Sequence, residues 1–320
     1  MTSCRRLSVV VPTLDTRILT SECVEAVLAS RVPAGVDLEV IVVDDGSRDG
    51  TAEALAGRSG VRVLRNEQPT GYSRAVNRGA AEATGDLLVF LNSDTKIEGS
   101  SLGSVLDAFE AEAALGIAGA ALTYPDGTPQ WSGGPEPGLV WLLAQASGAP
   151  AALGRLPLWR RAKPLHPPEV AAVAWVSGAA MAVRASLWRE IGPFETSYRF
   201  YGQDLEFCLR AGDGGWRVRI VPGFRVVHHH GATISSKEEG TVLGNADLGR
   251  LWSDLLLWTG RRRGAAYARR ARAAILLGSG LRIVLRRLVT PFVGGSRRSV
   301  WRRDTAALSR ARSEVVSTAR

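Results

Sequence analysis

An α/β fold is what the 320-residue sequence predicts: a mixed, mostly parallel sheet flanked by helices, followed by a basic helical C-terminal extension. Three observations predict it. Unbroken aliphatic runs recur at Leu7–Val11, Val40–Val43 and Leu87–Leu91, the signature of parallel strands buried on both faces. Helical patterns lie between them, so strand and helix alternate as in βαβ units. Each run also stops at acid: Asp15 after the first, Asp44-Asp45 after the second, and Asn92-Ser93-Asp94 after the third. Ligands of open α/β sheets gather beyond the carboxyl ends of the strands, and carboxylates placed there three times point to a polar ligand with a metal.

The elements follow in order. After the strand at Leu7–Val11, apolar spacing predicts a helix around Glu22–Ser30, then strand Glu39–Val43, helix Thr51–Leu55, strand Val61–Leu64, helix Tyr72–Ala83 and strand Leu87–Leu91. Around Gly127–Gly138 the texture turns to Pro, Gly and isolated Trp, which reads as loop. Pro137–Gly154 is uncharged but broken by Pro, Gly, Gln and Ser, so it reads as a loop with a short helix and not as a span of about 20 apolar residues. Val173–Ala211 holds a strand at Ala179–Arg184, a helix from Ser186 and a loop at Pro193–Gln203 rich in Phe and Tyr. Two short strands, Val218–Val221 and Arg225–Val227, lead to His228-His229-His230, and the boundary to the tail falls near residue 236.

Charge divides the chain unevenly. Residues 261–320 hold 16 Arg and 2 acids, a net of +14, while residues 1–260 carry a net of −5. Such a tail reads as a solvated helical face or as an attachment to an anionic membrane surface, and the second reading is taken here for residues 261–320. Nucleic acid is not expected, because few aromatic residues lie between the arginines. Three scattered cysteines, Cys4, Cys23 and Cys208, are odd in number and in no metal-ligand spacing. With no signal-peptide order at Met1–Arg6, a cytoplasmic protein is expected, peripheral on the cytoplasmic face of the membrane. An NAD-dependent Rossmann enzyme is discounted, since no Gly-x-Gly-x-x-Gly turn follows the first strand.

Seven ordered motifs carry a resemblance. Ser8–Asp15 (SVVVPTLD), Val42–Thr51 (VVDDGSRDGT), Asn66–Gly79 (NEQPTGYSRAVNRG) and Gly85–Thr95 (GDLLVFLNSDT) resemble the nucleotide-sugar half of family 2 glycosyltransferases. Val176–Arg184, Ile191–Arg210 (IGPFETSYRFYGQDLEFCLR) and Gly215–Gly231 resemble the acceptor side of the rhamnosyltransferase-like, non-processive branch. The match covers about residues 6–235. It implies a GT-A, Rossmann-like domain over residues 1–235, with a nucleotide-sugar-binding half at 1–98 and an acceptor-binding half at 99–235, before the extension at 236–320. The Gln-x-x-Arg-Trp string of processive synthases does not occur.

The resemblance assigns roles residue by residue. Asp45 would accept the imide N–H of a uracil or thymine base, with Pro12, Thr13, Asp15 and Asp44 lining that pocket. Arg74, Asn77, Asn92 and Ser93 complete the nucleotide-sugar site. Asp94 would hold Mg or Mn on the diphosphate, since oxygen ligands favour a hard cation. The family's Asp-x-Asp pattern has Asn92 in first position here, leaving one carboxylate. A histidine would join it, His228 by best match and His230 as the rival, because alternate strand residues share a face. Asp204, opening the helical Leu205–Arg210, would be the catalytic base, placed at the N-cap where a helix terminus keeps a carboxylate ionised. Phe200, Tyr201 and Gln203 would meet the acceptor; Gln203 stands where the family commonly has Glu. For Trp175, Trp188 and Trp216 core packing is the expected role. The activity implied is inverting, metal-dependent, non-processive transfer from dTDP-rhamnose, or next a UDP-sugar, to a hydroxyl of a glycan, lipid-linked or small-molecule acceptor. That activity belongs to cell-wall or polysaccharide biosynthesis. The competing class is an inactive sugar-nucleotide-binding or membrane-scaffold protein of the same fold.

Overall fold

β1 (Arg6–Thr13) runs through the middle of an eight-stranded sheet, with Leu7 and Val9 to Val11 fully buried. The computed structural model describes residues 6–149, 172–198, 202–229 and 248–317. They group into two units, one of residues 6–136, 172–197 and 203–229, the other of residues 137–149, 198, 202 and 248–317.

The first unit is the α/β body. β2 (Asp37–Asp44) and β4 (Leu87–Leu91) pair with β1 in parallel on either side, and β3 (Val61–Arg65) extends the sheet beyond β2. The connecting helices are α1 (Arg17–Leu28), α2 (Thr51–Leu55) and α3 (Tyr72–Glu82). Because the chain adds β2 and β3 on one flank of β1 and then returns to add β4 on the other, a crevice opens beyond the carboxyl ends of β1 and β4. Beyond β4 the order continues with β9 (Ala180–Arg184), β6 (Leu115–Thr123), β10 (Arg217–His228) and β5 (Thr95–Ile97). β9 is antiparallel to both β4 and β6, β10 is parallel to β6, and β5 is antiparallel to β10. A two-stranded ribbon, β7 (Gly133–Gly134) with β8 (Trp175–Val176), stands apart from this sheet.

Alternation along β1 sends side chains to opposite faces of the sheet. Val9 and Val11 pack with Cys23, Val24 and Val27 of α1 and with Leu102 and Val105 of α4 (Ser101–Ala111). Val10 packs with Ala75, Val76 and Ala80 of α3 on the other face. Gly79 lets α3 lie directly on the sheet, since a Cβ there would stand 2.4 Å from Val10 Cγ1 and 2.9 Å from Val43 Cγ2. The same face holds an aromatic cluster of Phe90, Trp188, Phe194 and Phe207, with centroids 5.0–5.6 Å apart. Trp188 belongs to α6 (Ala185–Ile191) and Phe207 to α7 (Gln203–Asp213).

Where the structure differs from the sequence reading, the reasons are local. The first helix begins five residues earlier than Glu22, at Arg17, because Thr16 O already accepts the Thr20 N–H. The two short strands near the histidines are one strand, β10, interrupted by a register shift between Val221 and Arg225 that absorbs Pro222 and Gly223. Residues Leu139–Ser147 form a helix, α5, that groups with the C-terminal helices. In that second unit α8 (Leu248–Arg263), α9 (Ala265–Val289) and α10 (Gly295–Ser317) bury Trp252, Leu255, Trp258, Ile275, Ile283, Leu308 and Val315. Arg286 of α9 meets Asp304 of α10 at 2.9 Å. Among the described residues no helix is long and apolar enough to cross a membrane.

Candidate active site

The topology collects the strand ends at one edge. Thr16, just past β1, meets Ser93, just past β4, through hydroxyls 2.8 Å apart. Thr13 Oγ1 lies 2.7 Å from Thr20 Oγ1 and 3.0 Å from Thr16 Oγ1, so a buried hydroxyl network floors the crevice. Pro12 and Thr13 are buried at the end of β1. Asp15 adopts a left-handed φ of 52° and accepts the Arg48 N–H at 2.7 Å, which ties the β1 end to the turn after β2. Asp44 is fully buried, accepts the Ser47 N–H at 3.0 Å and faces Arg65 Nε at 3.5 Å.

Asp45 is 5% exposed and organises the segment before α3. Its carboxylate accepts the backbone N–H groups of Thr70 and Gly71 at 2.8–2.9 Å, the Thr70 hydroxyl at 2.7 Å and the Asn66 amide at 2.6 Å. Asn77 is also engaged by protein: its side-chain amide donates to Phe194 O at 2.8 Å and accepts the Phe194 N–H at 3.0 Å. Arg74 projects from α3 into solvent.

The β4 end and the β10 end converge through β5. Thr95 pairs with His228 across the antiparallel ladder, and the His229 N–H donates to Asp94 O at 3.0 Å. Asp94 Oδ1 then stands 3.3 Å from His228 Nε2, both side chains nearly buried. Gln130, in the turn segment after β6, holds the imidazole from behind. It donates through Nε2 to His228 O at 2.6 Å, which fixes its amide orientation, and its Oε1 therefore accepts from His228 Nδ1 at 2.9 Å. With Nδ1 engaged by Gln130, Nε2 is the ring nitrogen that faces Asp94. Asn92 Oδ1 is buried without a hydrogen-bond partner among the described residues.

These donors fit a hard divalent cation. An orphaned amide oxygen, one carboxylate and an imidazole nitrogen oriented through its other nitrogen are the ligand types such an ion takes. Among the described residues no group of three His, Cys, Asp or Glu could hold a metal, so substrate phosphates and water would fill the remaining positions. His230, the rival ligand, lies outside the described residues, as do Phe200 and Tyr201.

On the other side of β4, β9 starts where β4 ends. Asn92 N–H donates to Ala179 O at 2.9 Å, which sets Gly178 beside the Asn92–Asp94 turn. Asp204 is the second residue of α7 and not its N-cap, since the helix already includes Gln203; Gln203 itself is buried. Asp204 Oδ2 accepts the Gly178 N–H at 2.9 Å, while the Tyr72 hydroxyl donates to Gly178 O at 2.8 Å. One glycine residue thus links an α3 phenol to an α7 carboxylate. A side chain at Gly178 would press on both, its Cβ falling 3.3 Å from Asp204 Cβ and 3.5 Å from Tyr72 Oη. The Tyr72 phenol is pushed far above its ordinary range by burial first, then by the charges of Asp204 and Asp94. Tyr72, Gly178 and Gln130 are the site residues that motif reading passed over. Tyr72 and Gly178 sit inside quoted motifs, but only the crossing of α3, β9 and α7 gives them partners; Gln130 lay in a stretch read as loop.

Comparisons with known proteins agree with this geometry. A family model described as glycosyl transferase family 2 matches residues 8–173. An N-acetylglucosaminyl-diphospho-decaprenol L-rhamnosyltransferase of Mycobacterium tuberculosis (strain CDC 1551 / Oshkosh) is 32% identical over 212 residues, 60% of this chain and 66% of that protein. The O-antigen biosynthesis protein RfbC of Myxococcus xanthus is 28% identical over 233 residues, 71% of this chain and 18% of its own length. The chain therefore matches just under two-thirds of the first relative and less than a fifth of the second. Among solved structures, the mannosyltransferase PcManGT of Pyrobaculum calidifontis, in complex with GDP-Man and Mn2+, shares the fold with a TM-score of 0.62 at 16% identity. That likeness covers 99% of this chain and 88% of that one. With a family model spanning half of the sequence and a GT-A fold around the crevice, the chain belongs to glycosyl transferase family 2.

Proposed function

We propose that this chain is an inverting, metal-dependent, non-processive glycosyltransferase that moves one sugar from a nucleotide-diphosphate sugar to an acceptor hydroxyl. The observation that carries the reading is a hydrogen-bonded link between two elements: the Asn92 N–H donates to Ala179 O at 2.9 Å and the adjoining Gly178 N–H donates to Asp204 Oδ2 at 2.9 Å, which supports placing the candidate phosphate-side and proton-side carboxylates in one site.

The strand ends at Pro12–Asp15 and Asp44-Asp45 bind and orient the nucleotide, the latter with the 66–71 segment that Asp45 holds, and with Arg74, Asn77 and Ser93 nearby. Asn92, Asp94 and His228 would hold Mg or Mn; when bound, the ion neutralises charge that accumulates on the departing diphosphate. Asp204 takes the proton of the acceptor hydroxyl as that oxygen bonds to the anomeric carbon and the bond to the diphosphate breaks. The Gly178 N–H, donating to Oδ2, keeps Asp204 aimed. Gln203, Phe200 and Tyr201 are the residues proposed to meet the acceptor. dTDP-rhamnose is the favoured donor, supported by the rhamnosyltransferase relative, with UDP-sugars next. The same relative's diphospho-decaprenol acceptor supports a lipid-linked glycan precursor over a small molecule; a place in cell-wall or polysaccharide biosynthesis in the cytoplasm is part of the proposal.

A panel of nucleotide sugars with Mg or Mn, read by thermal shift and by nucleotide release, tests the donor. Asp204→Asn is expected to lower transfer by about 10²–10⁴-fold with nucleotide binding intact. Asp94→Ala is expected to remove the metal-stimulated part of nucleotide binding. Transfer by Asp204→Asn near the wild-type rate would sink the assignment of the base. Metal-dependent binding with no turnover or donor hydrolysis would make the chain a binding protein instead.

A further inference from the structure

The transfer chemistry leaves one surface of the second unit unused. On α9, Leu277, Leu281, Val284, Leu285 and Leu288 are 67%, 52%, 54%, 51% and 64% exposed. Their spacing of i, i+4, i+7, i+8 and i+11 places them on one helical face, and the opposite face buries Ala271, Ile275, Ser279 and Ile283. Phe292, in the turn after α9, is 88% exposed and continues the stripe. A contiguous exposed apolar face of this kind marks an interaction site.

Basic charge stands beside it. Arg287, Arg298 and Arg302 line a cleft of about 500 Å³ at the α9–α10 junction, together with Thr290, Thr305 and Ser309. Arg298 donates to the carbonyls of Pro291 and Val293, while Arg287 and Arg302 have no partner among the described residues. The two acids in α9 and α10 are Asp304, paired with Arg286, and Glu314, so no carboxylate lines the cleft.

We propose that this face docks in the plane of an anionic phospholipid surface. Leu277, Leu281, Val284, Leu285, Leu288 and Phe292 enter the boundary between headgroups and acyl chains, and the arginine cleft takes phosphate headgroups. A phospholipid surface offers apolar area and phosphate charge side by side, which this face requires. A nucleic acid would leave the leucines unpaired with anything apolar, and a second copy would bring arginine against arginine.

The test is flotation of the full chain with phosphatidylcholine vesicles, with and without one-third phosphatidylglycerol. The wild type is expected to float with the anionic vesicles alone, and millimolar inorganic phosphate is expected to leave it bound. Arg287→Gln with Arg302→Gln should weaken vesicle affinity roughly 30-fold, at about fivefold per arginine near an anionic surface. Leu281→Ser with Leu285→Ser should abolish flotation while wild-type circular dichroism is kept. These side chains are exposed, so both variants are expected to fold. The proposal is overturned if the wild type stays unbound, if neutral vesicles bind equally, or if either double variant floats like the wild type. It is also overturned if free phosphate displaces the protein, or if the leucine variant instead dissolves a concentration-dependent dimer.

Discussion

Gln130→Leu removes both arms of the clamp on His228 while keeping side-chain volume. Gln130 is 4% exposed and His228 6%, and the lost bonds are 2.6 and 2.9 Å long, so water does not replace them cheaply. Losing the acceptor of a buried imidazole N–H costs about 1–3 kcal/mol. In a unit of this size that lowers Tm by about 2–12 °C, at about 2–4 °C per kcal/mol. An imidazole no longer held in one tautomer also binds a cation less well, by about 10–100-fold for the loss of such an orienting partner. Differential scanning calorimetry reads the first effect, and Mn2+ titration followed by electron paramagnetic resonance reads the second without any turnover. Gln130→Glu separates them: it keeps an acceptor for Nδ1 and loses the donor to His228 O, so its Tm falls while Mn2+ affinity stays near wild type. A Gln130→Leu protein with Tm within ~1 °C of wild type and unchanged Mn2+ affinity would refute the clamp.

Other outcomes follow from the same geometry. Gly79→Ala forces a Cβ to within 2.4 Å of Val10 Cγ1, so α3 must lift from the sheet; urea denaturation should show a loss of about 1–3 kcal/mol or more, and an unchanged midpoint would contradict the packing. Asp45→Ala frees the segment at 66–71 from its carboxylate, and hydrogen exchange at the Thr70 and Gly71 amides should accelerate markedly while β1 and β4 stay protected. Unchanged protection at those two amides would count against the anchor. Burial pushes the Cys23 thiol up to about 12, with Asp94 adding to the rise, and burial also raises Cys208. Because the neutral thiol is the form the fold favours, this stability is intact below the ordinary thiol value of 9.0 and is lost as pH climbs toward 12. Above the ordinary thiol pKa the unfolding free energy should fall by about 1.4 kcal/mol per pH unit per thiol. The Cys23→Ala/Cys208→Ala protein should show a shallower slope, and an equal slope would assign the effect elsewhere.

Much of residues 6–98 was legible because the strands there announce themselves. Leu87–Leu91 and Thr51–Leu55 lie where aliphatic runs and helical spacing placed them, and β1 to β3 differ by one to three residues at their ends. The stretch after residue 98 was less legible for a physical reason. β6 reads Leu-Gly-Ile-Ala-Gly-Ala-Ala-Leu-Thr, and its small residues reflect close neighbours: Gly119 has Val176 against it, and a Cβ there would fall 2.4 Å from Val176 Cβ. Small residues selected by tight packing give no strong strand signal. The candidate site shows the same division. Acids at strand ends can be read one by one, because each closes its own run. What cannot be read is that His228 Nδ1 is held by a glutamine 98 residues away, or that Asp204 meets Tyr72 through a single glycine residue. Such partners depend on crossings between elements, and no local pattern records them.

β9 has a consequence for how this protein is made. It is the antiparallel strand between β4 and β6, and its residues Ala180–Arg184 pair with Leu91–Leu87. Until they leave the ribosome, the all-buried strand Leu87–Leu91 has an open edge, and 89 residues separate Leu91 from its partner Ala180. At about 5–20 residues per second, that edge waits roughly 5–20 s during synthesis. An unpaired hydrophobic edge of that lifetime is a site for wrong pairing between nascent chains. The strand that brings Gly178 to Asp204 therefore also closes the interval in which a growing chain is most prone to aggregate, and substitutions in β9 should reduce soluble yield before they change the finished fold.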